Sequence, residues 1–222
     1  MDFPVVHSCA ELIQLIDEVG FMPLLDSGIH GFSAEEIVGE ECRYYTDPEE
    51  GFVWQLWQWK GQIVTETGCL YGKIFNRKAG FVSREWIADL CNYRRNRYSS
   101  PAPGTIEEAI LESLRMAGPM ITRELRSACG FNGPGMRSKF DSYVTRLEMG
   151  TYIVTQDFVY PRDKHDREYG WGWSLLNTPE SMFGKDTLAC ERTPDESFRR
   201  ICDHLRHILP EAGDRQIMKL IG

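Results

Sequence analysis

Basic side chains occur in three short groups along the chain, and the chemistry they could perform is the binding of phosphate. Guanidinium and ammonium groups neutralise phosphate oxygens, and hydroxyls donate to phosphates or to base edges. We therefore expect the nucleic-acid-binding residues in these groups: Arg77 and Lys78; Arg94, Arg95 and Arg97; Arg137, Ser138, Lys139, Ser142 and Arg146.

Each group also has an explanation that needs no ligand. Cations are favoured near a helix C-terminus by the helix dipole, which accounts for part of the signal at residues 94–97. Charged residues also form solvated helix faces in acidic proteins. Asp141 lies within the third group and would repel phosphate. The segment 161–168 holds three basic and three acidic side chains, so we interpret it as a solvated loop rather than as a phosphate clamp.

The sequence contains no recognisable catalytic or metal-binding motif. His204 and His207 have a helical spacing that can share a metal ion, but no third ligand is evident. A phosphate-binding lysine loop, a Gly-x-Gly-x-x-Gly fingerprint and a Gly-x-Ser-x-Gly turn are all absent. The carboxylates of residues 35–50 define no acid–base pair without a cleft. We expect no catalytic residue, no metal and no cofactor.

The net charge of −8 disfavours nucleic acid as a partner, but the charges are unevenly distributed. Residues 1–70 hold 2 basic and 13 acidic side chains, residues 71–98 hold 7 and 2, and residues 115–146 hold 6 and 2. The local field at a binding face matters more than the total charge. DNA therefore remains the expected partner if the two basic regions share one face.

Composition also indicates the compartment. The seven cysteines are scattered and form no Cys-x-x-Cys pair, which is typical of reduced thiols. No apolar run is long enough to span a membrane, and residues 1–10 lack the features of a secretory signal. We expect a cytoplasmic protein without a membrane partner.

Residues 105–176 show the clearest pattern of secondary structure. Apolar side chains at a three-and-four spacing predict helices over Thr105–Ala117 and Met136–Met149. A short helix capped by Thr122 and a glycine-rich turn at 130–135 lie between them. Alternation over 152–160 and 169–176 predicts a hairpin. This order is that of a winged helix-turn-helix, whose third helix usually enters the major groove.

The first 98 residues show a similar but weaker order. Helices are predicted at Cys9–Val19, after Ser33 and after Ser83, and the predicted strands are Ile63–Thr67 and Leu70–Phe75. The acidic stretch 40–51 is expected to be a surface loop. If residues 52–60 form a helix, this region is a second, degenerate winged-helix unit.

The stretch Phe52–Lys60 contains three tryptophans and is apolar on nearly every side. A segment of this kind is usually buried between two layers, which favours core packing. The alternative is a platform on which bases stack, and that function requires at least one exposed indole.

Together these patterns predict a mainly helical α+β fold with tandem winged helix-turn-helix units and C-terminal helices packed across them. The predicted boundaries are an N-terminal unit at 1–98, a linker at 99–104, a winged helix-turn-helix at 105–176 and a helical extension at 177–222. The linker is Ser-Ser-Pro-Ala-Pro-Gly, a composition that breaks regular structure. Within the extension, helices are expected at Pro194–Leu209 and Arg215–Ile221, after an irregular segment.

Several sequence blocks, taken as a set over about residues 50–222, resemble the AlkZ-related proteins of bacteria. In chain order the blocks are Tyr71-Gly-Lys-Ile-Phe75, Lys78-Ala-Gly-Phe-Val-Ser-Arg-Glu-Trp86, Asn92-Tyr-Arg-Arg95, Leu147-Glu-Met-Gly-Thr-Tyr152, Tyr169-Gly-Trp171 and Thr178-Pro-Glu180. The family is similar, more distantly, to the AlkZ/YcaQ winged-helix DNA glycosylases, which remove alkylated or crosslinked bases. The resemblance implies tandem winged helices and a role in bacterial DNA repair.

The catalytic motif of those glycosylases does not match this sequence. Their motif is a glutamine, an apolar residue and then a glutamine or aspartate, whereas this chain has Gln55-Leu-Trp-Gln58. On a helix the longer step leaves both amides on one side, and on a strand it places them on opposite faces. We carry no catalytic residue over, and glycosylase activity is left open.

Three hypotheses follow for the function. The first is a DNA-binding protein related to repair glycosylases. The second is an active glycosylase that removes alkylated bases. The third is a protein–protein interaction module that uses the acidic N-terminal region and the tryptophans.

Overall fold

The computed structural model describes residues 3–47, 51–168 and 170–222, excluding the side chains of 44–47 and 51–53. The predictions that concern residues 48–50, Tyr169 and the side chains of Phe52 and Val53 lie outside the described residues. The fold is α+β and mainly helical, with small antiparallel sheets, as the sequence predicts.

Residues 3–98, here called the first unit, contain five helices and five strands in the described part of the chain. In order they are α1 (Cys9–Val19), β1 (Phe21–Pro23), α2 (Ala34–Ile37), α3 (Glu40–Arg43), β2 (Tyr44–Asp47), β3 (Gly51–Trp54), α4 (Gln55–Thr67), β4 (Leu70–Phe75), β5 (Lys78–Val82) and α5 (Arg84–Tyr98). Strands β1, β5 and β4 form an antiparallel sheet in that order, and β2 pairs with β3. Ser8 and Ser33 cap α1 and α2 through their hydroxyls.

Residues 105–176, here called the second unit, begin with α6 (Ile106–Ala117). The other elements of the second unit are β6 (Met120–Ile121), α7 (Thr122–Ala128), α8 (Met136–Met149), β7 (Val154–Val159) and β8 (Trp173–Asn177). The strands form an antiparallel sheet in the order β6, β8, β7. The predicted order of helix, helix, turn, helix and hairpin is therefore present, with β6 added.

The two units share one order of elements. Each contains a helix, a short strand, further helices and then two adjacent antiparallel strands, and in each sheet the last strand lies between the other two. The first unit differs by the insertion of α3, β2 and β3 before α4. The stretch 52–60 is thus divided, because β3 ends at Trp54 and α4 begins at Gln55.

Four local predictions are wrong. Thr122 does not cap the short helix that follows α6, because α7 begins at Thr122 itself and no side chain caps it. Residues 63–67 lie in α4 and not in a strand, because Leu56, Trp59 and Ile63 are buried at the spacing of one helix side. Part of the expected loop at 40–51 forms α3 and β2. Strand β8 begins at Trp173, since Gly170 and Gly172 have φ values of 77° and 68°, which interrupt an extended strand.

The C-terminal extension packs across the first unit. Its elements are α9 (Pro179–Phe183), α10 (Lys185–Leu188), α11 (Pro194–Ile208) and α12 (Asp214–Ile221), so the segment predicted to be irregular contains two short helices. Ile201 and Leu205 of α11 share a core with Trp86 and Leu90 of α5. Thr193 and Glu196 form a capping box that fixes the start of α11.

Apolar packing continues from one unit to the other. Val154 of β7 is fully buried in the core that α5 and α11 build, and Phe158 packs on the core around α4. Burial of one such side chain stabilises the folded state by about 1.5–3 kcal/mol. The division of the chain at 99–104 stays a prediction, since the units share this core. Every described helix is too short or too polar to cross a bilayer.

Candidate nucleic-acid interface

Helix α8 has one buried side and one exposed side. Gly135 precedes it in the left-handed region, with a φ of 72°, and Phe140, Val144 and Leu147 bury its apolar side against α6 and α7. The opposite side exposes four of the predicted binding residues. These are Ser138, Lys139, Ser142 and Arg146, and the last three follow the i, i+3, i+7 spacing of one helix side.

The polar groups on the exposed side of α8 differ in how far they are engaged. Within the described part of the chain, Lys139 forms no ion pair, whereas an Arg146 Nη1–H donates to Glu107 at 2.9 Å. Arg137 lies 3.9 Å from Asp141. The Arg137–Asp141 pair is exposed and contributes only about 0–1 kcal/mol, so Arg137 can exchange its carboxylate for a phosphate. The Arg146 side chain is 70% exposed although Glu107 is only 12% exposed, so Arg146 can bind a phosphate while it keeps this pair. The Ser142 hydroxyl donates to Ser138 O.

Arg94 has a structural position and not an exposed one. Its side chain is 1% exposed. One Nη1–H donates to Met149 O at 3.3 Å and one Nη2–H donates to Ile74 O at 2.7 Å. A guanidinium in this position joins the end of α8 to β4 and cannot reach a phosphate, so we remove Arg94 from the interface.

Arg95 and Lys78 are also engaged within the protein. The Arg95 guanidinium donates to Glu180 at 2.6 Å and to Thr151 O at 2.9 Å. Lys78 donates to the Asp26 main-chain carbonyl and lies 3.5 Å from its carboxylate. Both side chains remain partly accessible, but their charges are partly neutralised by these contacts.

Arg77 and Arg97 are exposed, and neither forms an ion pair within the described residues. Arg77 lies in the tight turn between β4 and β5 with a φ of 69°. Its backbone N–H contacts Met149 Sδ at 3.2 Å, which places the turn beside the C-terminal end of α8. Arg97 lies in the last turn of α5, one turn after Tyr93.

The structure therefore brings the two basic regions of the sequence together along α8. Lys73 of β4 reaches Thr145 and Glu148 of α8, and the Arg77 turn adjoins the end of the same helix. Several carboxylates of the acidic N-terminal region are engaged elsewhere: Glu11 and Glu41 contact His7, and Glu36 accepts the Ser33 hydroxyl. Asp26 is the carboxylate of that region that contacts a predicted binding residue.

Tryptophans of both units meet beside the start of α4. Trp54 and Trp57 are half-buried and stacked, with ring centroids 5.3 Å apart, and Trp57 meets Trp171 edge-on at 5.3 Å. The Trp57 Nε1–H donates to Trp171 O at 2.9 Å. Trp59 is core, as predicted, whereas Trp171 is 62% exposed. The exposed indole that a stacking platform requires therefore comes from the second unit.

Lys60 is a buried cation that the sequence analysis did not single out. It is 0% exposed, and its Nζ–H groups donate to Trp57 O and Tyr160 Oη at 3.1 and 3.2 Å. The amine lies 3.7 Å from the Phe158 ring centroid. Burial lowers the pKa of Lys60 to about 7. A single lysine within an apolar run was the available signal.

Glu148 is the corresponding buried acid, on the side of α8 that faces β4. Its Oε1 accepts the Lys73 N–H at 3.3 Å, and its Oε2 has no hydrogen bond. A Cβ at Gly72 would lie 3.4 Å from this carboxylate, so the glycine permits the close approach. Burial raises the pKa of Glu148 to about 7, and Lys73 opposes the shift.

The remaining candidate groups from the sequence have defined positions. Gln55 and Gln58 both lie in the first turn of α4, on one side of the helix, with Gln58 exposed. The His204 Nε2–H donates to Val19 O at 2.8 Å, and the ring stacks on Trp86 at 4.3 Å, so His204 is part of the contact between α11 and the first unit. Within the described residues, no three His, Cys, Asp or Glu side chains converge to hold a metal.

Comparison with known proteins gives one match. No curated protein and no solved structure shows significant similarity to the chain. The family model described as AlkZ related matches residues 6–222, a range that covers both units and the C-terminal extension. The chain belongs to the AlkZ-related family.

Proposed function

We propose that the chain is a DNA-binding protein of DNA repair, in which residues 105–176 act as a winged helix-turn-helix unit. The observation that carries this proposal is the exposed side of α8, where Lys139, Ser142 and Arg146 share one face. The third helix of such a unit usually lies in the major groove. Membership of the AlkZ-related family supports the link to repair.

Phosphate contacts would come from α8 and from the turn beside it. Lys139 and Arg77 present charges that no carboxylate neutralises within the described part of the chain. Arg137 exchanges the exposed Asp141 carboxylate for a phosphate, Arg146 presents the exposed part of its side chain, and Arg97 adds a charge from the end of α5. Ser138 contributes an exposed hydroxyl. Lys78 and Arg95 contribute less, because internal acceptors already engage them.

The acidic total charge does not prevent binding. The acidic residues that lie on α8 itself are Asp141 and Glu148, and burial raises the pKa of Glu148 to about 7, so this carboxyl is partly neutral near neutral pH. A face of this composition lets a chain of net charge −8 approach a polyanion in one orientation, because the local field guides association.

The test is the salt dependence of binding to a fluorescein-labelled DNA duplex, measured by anisotropy. The variant Lys139→Glu/Arg146→Gln removes three charges from α8, and Arg115→Glu/Lys185→Gln removes three charges elsewhere. We expect the α8 variant to bind about 100-fold more weakly and to flatten the slope of log K against log salt by about 1–2, since each phosphate contact contributes about 0.9. The control variant should retain the wild-type slope.

Two outcomes would contradict the proposal. One is wild-type protein that shows no salt-dependent binding to any duplex. The other is an equal loss in the α8 and control variants, which would indicate an effect of total charge alone.

Base excision is the second candidate function, and the position of two amides favours it. Gln55 and Gln58 lie on one side of α4, next to the tryptophans of both units, where they could orient a water or a base edge. Duplex DNA carrying alkylated bases should then yield abasic sites that alkali cleaves. Gln58→Ala should lose the product and retain DNA binding. Absence of product with protein in excess over several lesions would exclude this activity.

A further inference from the structure

The C-terminal helix α12 presents cations next to the β4–β5 turn. It buries Ile217, Leu220 and Ile221 and leaves Arg215 and Lys219 exposed one turn apart. The Gln216 Nε2–H donates to Gly28 O at 3.2 Å, so this side of α12 faces the segment 26–28. Residues 216 and 219 share a helix side, which directs Lys219 toward the same segment.

Asp26 lies between cations of two elements. Its carboxylate is 3.5 Å from Lys78 Nζ of β5, and the Gly28 N–H donates to it at 2.8 Å. The Gly28 N–H, Lys78 and, more weakly, Lys219 lower the pKa of Asp26. One carboxylate therefore faces two lysines, and it is already engaged by a backbone donor.

Arg97 belongs to the same end of the molecule. The Tyr93 hydroxyl donates to Gly222 O at 2.6 Å, which fixes the last residue of α12 against α5. Arg97 follows Tyr93 by one helical turn. Burial raises the pKa of the Tyr93 hydroxyl, and the nearby Arg97 charge opposes that rise. The end of α5 and the end of α12 are therefore in contact.

The charge balance of this end is positive. Its exposed cations come from four elements, and within the described residues only Lys78 among them forms an ion pair. They are Arg77, Lys78, Arg97, Arg215 and Lys219. Arg77 also adjoins the end of α8 through Met149 Sδ, so this basic end continues the exposed side of α8.

We infer that the β4–β5 turn, the end of α5 and α12 form a second phosphate-binding patch, which holds the backbone of the same duplex beyond α8. The inference rests on the proposed function. The ligand is a run of phosphodiesters, because separated cations neutralise successive phosphates without reading bases. DNA would then contact both units and the C-terminal extension.

The composition of the C-terminal extension does not predict this patch. Residues 177–222 contain seven basic and eight acidic side chains, which indicates no binding face. Folding separates them, because Arg192, Arg200 and Arg206 pair with carboxylates of α5, α11 and α12. Arg215 and Lys219 are left without such a pair in the described part of the chain.

The test uses the full chain and the labelled duplex described above. Arg215→Gln/Lys219→Glu removes three charges from α12, the same number as the α8 variant and the Arg115→Glu/Lys185→Gln control. We expect binding about tenfold weaker than wild type and a salt slope flatter by about 1–2. Arg215→Lys/Lys219→Arg, which retains the charges, should bind as wild type does. Thermal melting should show that all these variants fold.

The possible outcomes separate the inference from the proposed function. If the α12 variant keeps the wild-type slope while the α8 variant loses affinity, the second patch is refuted and the proposed function stands. If the α12 variant and the control lose affinity equally, the effect is one of total charge and the patch is again refuted. If wild-type protein binds no duplex, both proposals fail.

Discussion

Helices α4 and α8 have the same place in their units, directly before two adjacent antiparallel strands, but their surroundings differ. Leu56 and Ile63 of α4 pack on α1, and Phe158 of the second unit covers another side, where a Cβ at Gly61 would lie 3.6 Å from its ring. Only the C-terminal half of α8 is covered in this way. The same order of elements therefore yields one helix enclosed between units and one helix with a free side.

The enclosed helix α4 and the partly exposed helix α8 also differ in the groups around their buried charges. α4 encloses Lys60 among rings of both units, whereas α8 encloses Glu148 against β4 and has its terminal carbonyl bonded by Arg94. The cations on the free side of α8 remain in solvent. Substitutions at these positions can therefore separate the residues that join the units from those proposed to bind DNA.

The largest effect is expected at Arg94, which anchors the end of α8. Arg94→Ala leaves the carbonyls of Met149 and Ile74 without their donor. Each buried carbonyl left without a hydrogen bond costs about 1–3 kcal/mol, so we expect the free energy of unfolding to fall by about 4 kcal/mol. Arg97→Ala, three residues later and exposed, should leave it unchanged. Urea denaturation of both variants measures the two free energies of unfolding.

The comparison of these two arginines also has a binding readout. Arg97→Ala should weaken DNA binding and flatten its salt slope by about 1. Equal stability of the Arg94→Ala and wild-type proteins would contradict the anchoring role and return Arg94 to the set of exposed cations.

Lys60 is expected to have the next largest effect, through its lowered pKa. In the unfolded chain its pKa is about 10.5, and burial lowers it to about 7 in the folded protein. The unfolded state therefore binds more protons between pH 7 and 10.5, so stability rises with pH across this window and is lowest below it. Lys60→Met should raise the free energy of unfolding by about 2 kcal/mol at pH 7, and by less at pH 10.

Measurement of urea denaturation at pH 7, 8.5 and 10 tests this expectation. Lys164→Met provides the control, since Lys164 is exposed in the 161–168 segment. A Lys60→Met protein whose stability follows the wild-type pH dependence would show that the amine stays charged, with the ring faces offsetting its burial.

The sequence predicts local structure well where one helix side is apolar. The bounds of α1 and α8 agree with the predictions because Leu12, Ile16, Phe140 and Val144 fall on a clear three-and-four spacing. The prediction of a strand at residues 63–67 is wrong because the sequence Ile-Val-Thr favours a strand locally. The burial of Ile63 against α1, which shows that these residues lie on the apolar side of a helix, is a contact between segments far apart in the chain. Short apolar runs carry too little periodicity to decide between the two.

Placement across the units was not accessible from the sequence. The prediction grouped Arg94, Arg95 and Arg97 by adjacency, but the helix turns each toward different neighbours, so that only Arg97 is exposed. Lys219 was missed because a balanced composition concealed it. Which cation is free depends on contacts between residues far apart in sequence, such as Arg94 with Met149, and a charge count carries no such information.

Glu148 is expected to have the smallest effect, with the opposite pH dependence from Lys60. Its pKa is about 4.5 when unfolded and is raised to about 7 by burial, so the folded state binds more protons between these values. Its stabilising contribution is complete below pH 4.5 and is lost as pH rises through 7. Glu148→Gln keeps an acceptor for the Lys73 N–H and should raise stability by about 1–2 kcal/mol at pH 8, with little change at pH 4.5. Glu124→Gln, at an exposed position of α7, should leave stability unchanged at both pH values.

The opposite pH dependences of Lys60 and Glu148 together predict a minimum of stability near pH 7 in the wild-type protein. Glu148 lowers stability as pH rises from 4.5 to 7, and Lys60 raises stability as pH rises from 7 to 10.5. The double variant Lys60→Met/Glu148→Gln should remove that minimum, and a profile in which it persists would show that groups outside the contact between the units produce it.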